Sequence, residues 1–363
     1  MPRCIYCLLE LPEDQFNTEH IVPRQLGSFR ETVRNDPLTL HLTVCADCNS
    51  YFGKTIELAF GRDSIEAVYR LKYGQKRPRE FQGFNSERVV FRVPDYMPDG
   101  GVVLTPAASP DGKEIVMMLP PQVGVLLPGE DRYRYYTADD LAGDGGDGLP
   151  TPDQSVKLRL LAADDAGVQQ VRSLVLMRFP KFREEGKLGL PPPERIDGKM
   201  LVEIKFKVDR LLARAVAKIA FNYMAFHAGS NFALNTSFDP IRRFIRYDEG
   251  GENWRRFVQF LSDPLLAQET EELCVTRGHI LIAGWKDFQT LTVRVSPYNS
   301  MAYEVTLTSC FSGVSLWIKV GHVFDWEDHK IIPLTSVDRI VLPPGWAQRP
   351  ARAYQTMVQR PPT

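Results

Sequence analysis

The sequence predicts an α+β protein: an N-terminal ββα finger closed by a structural zinc ion, then a mixed, β-rich region with two helices. Three observations lead there. Two Cys-x-x-Cys pairs, Cys4/Cys7 and Cys45/Cys48, are separated by 37 residues. Short alternating or β-branched runs broken by Pro and Gly fill much of the chain beyond residue 84. One long, almost wholly apolar helical pattern interrupts them at residues 208–229.

The cysteines come first because they set the local frame. Each pair presents two thiolates from a tight turn, and two pairs complete a tetrahedral S4 set with bonds of about 2.3 Å. Four thiolates leave no open position for water, so the zinc is expected to be structural. The residues between the pairs then form a hairpin held at both ends, with "TEHIVP" as its first strand and "TLHLTVC" as its second. A helix follows at the second pair. In "CADCNSYFGKTIELAFG", Tyr51, Phe52, Ile56, Ala59 and Phe60 recur at helical spacing, and Gly61 is the expected C-cap.

On that helix Asn49, Gly53 and Glu57 stand one above another. A mid-helix glycine costs about 1 kcal/mol relative to alanine. Two readings of Gly53 are open: space for an approaching group, or close packing against the hairpin. The stretch "RLKYGQKRPRE" follows, with Arg70, Lys72, Lys76, Arg77 and Arg79 against a single Glu80 and with Tyr69 and Tyr73 interleaved. By itself it reads as a solvated linker.

Further on, "ERVVFRV", "EIVMMLP", "DRYRYYT", "VRSLVLMRFP" and "MLVEIKFKV" read as strands, and residues 141–153 as a flexible loop or a boundary. "VDRLLARAVAKIAFNYMAFHAG" predicts a buried helix ending near Gly229. A second helix starts at "FDPIRRFIRY", with Asp239 as N-cap and Pro240 in the first turn. Strands return after about residue 270 in "CVTRGHILIAGW", "QTLTVRVSPY", "AYEVTLT" and "VSLWIKVG". The expected organisation is a finger with its basic extension at 1–84, an accessory α+β region at 85–345, and a Pro-rich, basic, disordered tail at 346–363.

Length and composition bound the function. At 363 residues, with 44% apolar and 25% charged residues, the chain is a globular protein of two or three domains. A net charge of −1 gives no general case for nucleic-acid binding, which must rest on local clusters. The N-terminus lacks the apolar core of a signal peptide and no run of about eighteen apolar residues occurs, so no membrane and a cytoplasmic setting are expected. Cys274 and Cys310 are isolated in apolar runs and read as core residues. His227, His279, His322 and His329 read as packing or surface residues.

The order C-x-x-C, "EHIVPRQLGS", "VCADCNSYFG" resembles the HNH endonucleases, in the branch whose motif reads Glu-His-Ile-x-Pro and ends in Cys-x-x-Cys-Asn. The likeness spans roughly residues 4–63. It implies a ββα-metal nuclease finger acting on DNA, with His20 as general base and with Asn49 and Glu19 as ligands of a catalytic Mg2+ or Mn2+. Asn35 and His41 are candidates for the motif's middle residue, and Glu57 for a supporting role. The basic stretch then reads as a patch that tracks phosphates. The C-terminal region is left for a protein partner or a homo-oligomer contact. A non-catalytic zinc-stabilised module that binds nucleic acid or protein is the alternative reading.

The chemistry suits the residues. Phosphodiester hydrolysis needs a deprotonated water and a cation to offset charge on the leaving oxygen. A neutral imidazole can take that proton, and Glu19 and Asn49 offer hard oxygen ligands. Adjacent residues on a regular strand face opposite sides, so Glu19 and His20 both enter one site only if the strand is bent or bulged.

Overall fold

The computed structural model of the chain describes residues 1–31, 37–84, 88–93, 101–142, 149–151, 154–183, 186, 195–196, 199–200, 203–261, 264–265, 278–312 and 318–334. Asn35, Cys274 and the tail at 346–363 lie outside them. The chain divides into two compact units, Met1–Gln75 with Val208–Thr363, and Lys76–Lys207. Where the sequence reading ends the finger's domain at residue 84, the finger here shares a unit with residues far downstream.

The finger forms as its spacing requires. Strand β1 (Phe16–His20) precedes a two-residue strand β2 (Arg30–Glu31) and pairs antiparallel with β3 (Thr39–Cys45). Helix α1 (Ala46–Lys54) starts directly at the second cysteine pair, with Cys45 as its N-cap. The expected single helix is two. Thr55 leaves helical geometry at φ −118°, ψ −84°, its hydroxyl donates to the carbonyl oxygen of Tyr51 at 2.5 Å, and α2 (Ile56–Arg62) then buries Ile56 and Phe60. Gly61 is not the C-cap. It lies inside α2, where a Cβ would collide with the side chain of Gln25. Helix α3 (Ile65–Lys72) follows, capped by the Ser64 hydroxyl accepting from the N–H of Ala67 at 3.2 Å.

The second unit is built from two small antiparallel sheets. β4 (Val89–Val93), β5 (Val102–Ala108) and β6 (Ile115–Met118) join β12 (Glu203–Phe206) in the order β12-β4-β5-β6. β7 (Gln122–Leu126), β8 (Arg134–Thr137) and β9 (Lys157–Leu161) form the order β8-β7-β9, beside helices α4 (Ala138–Ala142) and α5 (Asp165–Arg178). A two-residue ladder, β10 (Arg195–Ile196) with β11 (Lys199–Met200), completes the unit's described strands. "VRSLVLMRFP", expected as a strand, lies almost wholly in α5. Asp164 caps that helix, and Val171 and Val175, four apart, are its fully buried residues, which is helical periodicity in a β-branched sequence.

The first unit resumes with α6 (Arg210–Ala228), capped by Asp209 and stopped at Gly229, whose φ is 88°. Every residue from Leu212 to Ala225 is buried, as the apolar pattern predicts. After α7 (Ser230–Ala233), α8 (Asp239–Tyr247) begins one residue earlier than expected. Phe238 is its N-cap, while Asp239 is already helical and pairs with Arg242 at 2.9 Å.

Strands β13 (Val258–Leu261), β14 (Gly278–Trp285), β15 (Leu291–Ser296), β16 (Ala302–Thr308), β17 (Lys319–Asp325) and β18 (Lys330–Pro333) make a sheet ordered β13-β16-β15-β14-β17-β18-β2. Its last member is the finger's own β2, added parallel to β18. One apolar cluster joins Tyr6, Phe52 and Phe60 of the finger to Phe221 of α6 and Val293 of the sheet. Cys310 is exposed rather than in the core, because it follows the end of β16. Among the described residues, no helix is long and apolar enough to cross a membrane.

Candidate functional site

The sulfur atoms of Cys4, Cys7, Cys45 and Cys48 all lie within 4.8 Å of one another. A tetrahedral ZnS4 centre requires sulfurs about 3.8 Å apart at 2.3 Å per bond, and Cys7 and Cys45 are 3.7 Å apart. The thiols also have outer partners. The backbone N–H of Cys45 donates to Cys4 Sγ and Arg246 Nε donates to Cys48 Sγ, each at 3.4 Å. The set is closed and suited to zinc.

Strand β1 starts at Phe16, beyond the first cysteine pair, and reaches the candidate catalytic residues through an irregularity. Asn17 pairs with Val44 but Glu19 pairs with Leu40, so three residues of β3 face Thr18 alone, and Leu42 takes φ 50° to allow it. Beyond this bulge the alternation is regular. Glu19 is 4% exposed, between exposed Thr18 and half-buried His20. The carboxylate therefore faces the core and the imidazole the open side, where it lines a depression with Val22, Phe29 and Leu38.

Three sequence candidates gather on that strand end. Asn49 Nδ2 donates to the carbonyl oxygen of Thr18 at 3.3 Å, which leaves its side-chain oxygen to accept. His41 is exposed and its ring nitrogens meet the hydroxyls of Thr18 at 3.3 Å and Thr39 at 3.0 Å. Arg24 Nε donates to His20 Nε2 at 2.8 Å, so Nε2 carries the lone pair and the ring is neutral. Burial, then Arg24 and Lys218, hold the His20 pKa below its ordinary value.

Residues 4–65 match the family model of the HNH endonucleases. No curated protein and no solved structure matches the chain. The matched HNH segment contains the four cysteines, Glu19, His20 and Asn49, and it ends at the start of α3.

Behind the finger lies a buried polar network supplied by α6. Lys218 Nζ contacts both Glu19 Oε1 and Glu57 Oε1, and its side chain is fully buried. Asn222 Nδ2 donates to Glu19 Oε1 at 3.0 Å and reaches the carbonyl oxygen of His20 at 3.5 Å, while its Oδ1 accepts from the Tyr6 hydroxyl at 2.6 Å. Arg214 donates to the Tyr51 hydroxyl at 2.6 Å. Burial tends to deprotonate Lys218, but two carboxylates on one ammonium outweigh it and raise its pKa. Burial raises the pKa of Glu19 as well, against the pull of Lys218.

Lys218, Asn222, Arg214, Tyr6 and Arg24 are absent from the residues that sequence reasoning selects. A signal exists: Arg214, Lys218 and Asn222 recur every four residues within 211–226, a stretch whose other residues are all hydrophobic, which marks one polar stripe. On Gly53 the structure decides between the two readings. A Cβ there would meet nothing within 4 Å, so packing against the hairpin does not explain it.

The basic stretch divides between the units. Arg70 and Lys72 belong to α3, where Arg70 donates to the carbonyl oxygen of Gly61 at 2.6 Å and Lys72 is exposed. Tyr69 and Tyr73 pack on Tyr298 as partly buried rings at the edge of the apolar cluster. In the second unit Lys76 lies over the Phe81 ring, and Arg77 and Arg79 are exposed.

Proposed function

We infer that the HNH finger is a metal-dependent endonuclease that hydrolyses phosphodiester bonds in DNA, with His20 as the general base. The observation that carries this is the state of His20. It is neutral and half-exposed at the end of a bulged strand inside the matched HNH segment. A lone pair on an uncharged imidazole is what proton abstraction from water needs. Arg24 covers that lone pair in the free protein, and a phosphate would draw a guanidinium into a bidentate contact, which frees Nε2.

The residues present fit two kinds of metal. Four thiolates suit one structural Zn2+. The side-chain oxygen of Asn49 is a hard donor that suits Mg2+ or Mn2+, whereas the Glu19 carboxylate faces the core, where Lys218 and Asn222 hold it, so its expected ligand role does not fit an ion beside His20. Such an ion supplies Lewis-acid stabilisation of the leaving oxygen. Exposed Lys72, Arg77 and Arg79, with Lys76 and Arg70, would add sequence-independent phosphate contacts.

The test is nicking of supercoiled plasmid with Mg2+ or Mn2+ by the wild-type protein and by His20→Ala. The variant is expected to keep its zinc, its urea midpoint and its DNA affinity and to lose cleavage. Cleavage by His20→Ala at the wild-type rate would overturn the assignment. A wild-type protein that binds DNA but cuts nothing would point to the non-catalytic zinc module.

A further inference from the structure

The HNH match ends at residue 65, yet the side chains that hold the Glu19 carboxylate and reach the His20 carbonyl include Lys218 and Asn222, far outside it. We propose that Lys218 and Asn222 of α6 are positioning residues of the nuclease centre, which fix the strand end bearing Glu19 and His20. The proposal rests on the nuclease reading above and names residues outside the finger that serve it.

The geometry is specific. Lys218 and Asn222 are four residues apart, hence on one face of α6, and both are fully buried. The Asn222 amide bridges two consecutive residues of β1, touching the Glu19 carboxylate and the His20 carbonyl from one nitrogen. Its oxygen is anchored by Tyr6, which sits between Cys4 and Cys7, so the cysteine centre and the strand end are tied through a single side chain. Lys218 adds a second tie, from Glu19 to Glu57 on α2. The strand end needs this support because the bulge beside it disrupts the β1–β3 ladder between Asn17 and Glu19.

A fully buried ammonium is also costly to retain. Taking it out of water is costly even after relaxation, and an apolar side chain of similar volume often serves packing better. A network placed against the candidate base, and touching it through its own backbone, has a use in holding geometry. Outer partners of this kind typically change activity by about 10- to 100-fold when removed, and small misplacements of reacting groups act at the same scale.

The experiment uses the full chain as wild type, Asn222→Leu and Lys218→Met. Four readouts are taken: zinc per chain, urea midpoint, affinity for a DNA duplex without divalent ions, and kcat and KM for cleavage with Mg2+. In Asn222→Leu, zinc and duplex affinity are expected to hold within about threefold while kcat falls about 10- to 100-fold with little change in KM. A fifth readout is independent of activity: the ring resonances of His20 in histidine-labelled protein, assigned with His20→Gln, should shift and broaden in Asn222→Leu. Lys218→Met should show the same pattern, and if it does not fold Asn222→Leu carries the test.

Unchanged kcat and unchanged His20 resonances would overturn the proposal. So would a kcat loss that only follows lost folding, or failure of Asn222→Leu to fold, either of which would assign the network to stability. If the wild-type protein cuts no DNA, the nuclease reading fails, and the His20 resonances still decide whether α6 positions that ring.

Discussion

Lowering the pH should weaken this protein through one buried imidazole that ties the sheet to the finger. His279 on β14 is 1% exposed. Its Nδ1 accepts from the backbone N–H of Tyr298 at 3.1 Å, so its Nε2 carries the proton and donates to the carbonyl oxygen of Leu26 at 2.8 Å. Leu26 closes the turn that carries Arg24. A second proton would have to enter at Nδ1, against an N–H that already points there. Burial accordingly lowers the His279 pKa to about 4, with the Leu26 contact opposing.

The unfolded chain has an imidazole pKa near ~6.5. The folded value lies below it, so the stability from the neutral ring is complete above about pH 6.5 and is lost as pH falls through the window down to about 4. At pH 5 the unfolded state has gained a proton that the folded state still refuses, which costs about 2 kcal/mol at about 1.36 kcal/mol per unit. Glutamine at this position can accept and donate in the same two directions without titrating. Urea unfolding of wild type and His279→Gln at pH 7.5 and pH 5.0 should show wild type losing about 2 kcal/mol more than the variant. The comparison cancels His322, whose pKa burial also lowers to about 4. Equal losses in the two proteins would refute the tautomer and the tie it makes to the finger.

Gly53→Ala should raise stability by up to about 1 kcal/mol, since the added methyl meets nothing and alanine favours the helix, whereas Gly61→Ala should cost about 1–3 kcal/mol by striking Gln25; urea midpoints read both. Brief EDTA treatment should stop cleavage before zinc leaves the four thiolates, and Mg2+ or Mn2+ alone should restore it. In Cys45→Ser, cleavage should be lost with zinc, and no added Mg2+ should return it. Neutralising Arg70, Lys72, Lys76, Arg77 and Arg79 together should weaken duplex binding for every sequence and flatten its salt dependence, as measured by affinity between 50 and 200 mM salt, on the order of the range over which counterion release is read.

The finger was legible because its information is local. Two cysteine pairs, a strand ending in Glu-His and a helix opening in Cys-Asn each declare themselves within a few residues, and the four thiols do converge. Where local pattern misled, packing was the cause. The β-branched "VRSLVLMRFP" became helix because Val171 and Val175 are buried together four residues apart, and the helix through Thr55 broke so that Ile56 could enter the core.

What the sequence by itself determined is the chemistry at hand: a closed thiolate centre, an imidazole beside a carboxylate, and an amide oxygen on the following helix. Only the tertiary structure decided the direction each of them faces. Alternation along β1 after its bulge sends Glu19 inward to Lys218 and Asn222 and leaves His20 outward, and no spacing within the finger specifies a partner some two hundred residues away. The physical reason is that a buried carboxylate must find its counter-charge in three dimensions, and here the nearest face able to supply it belongs to a helix that the finger's own sequence does not contain.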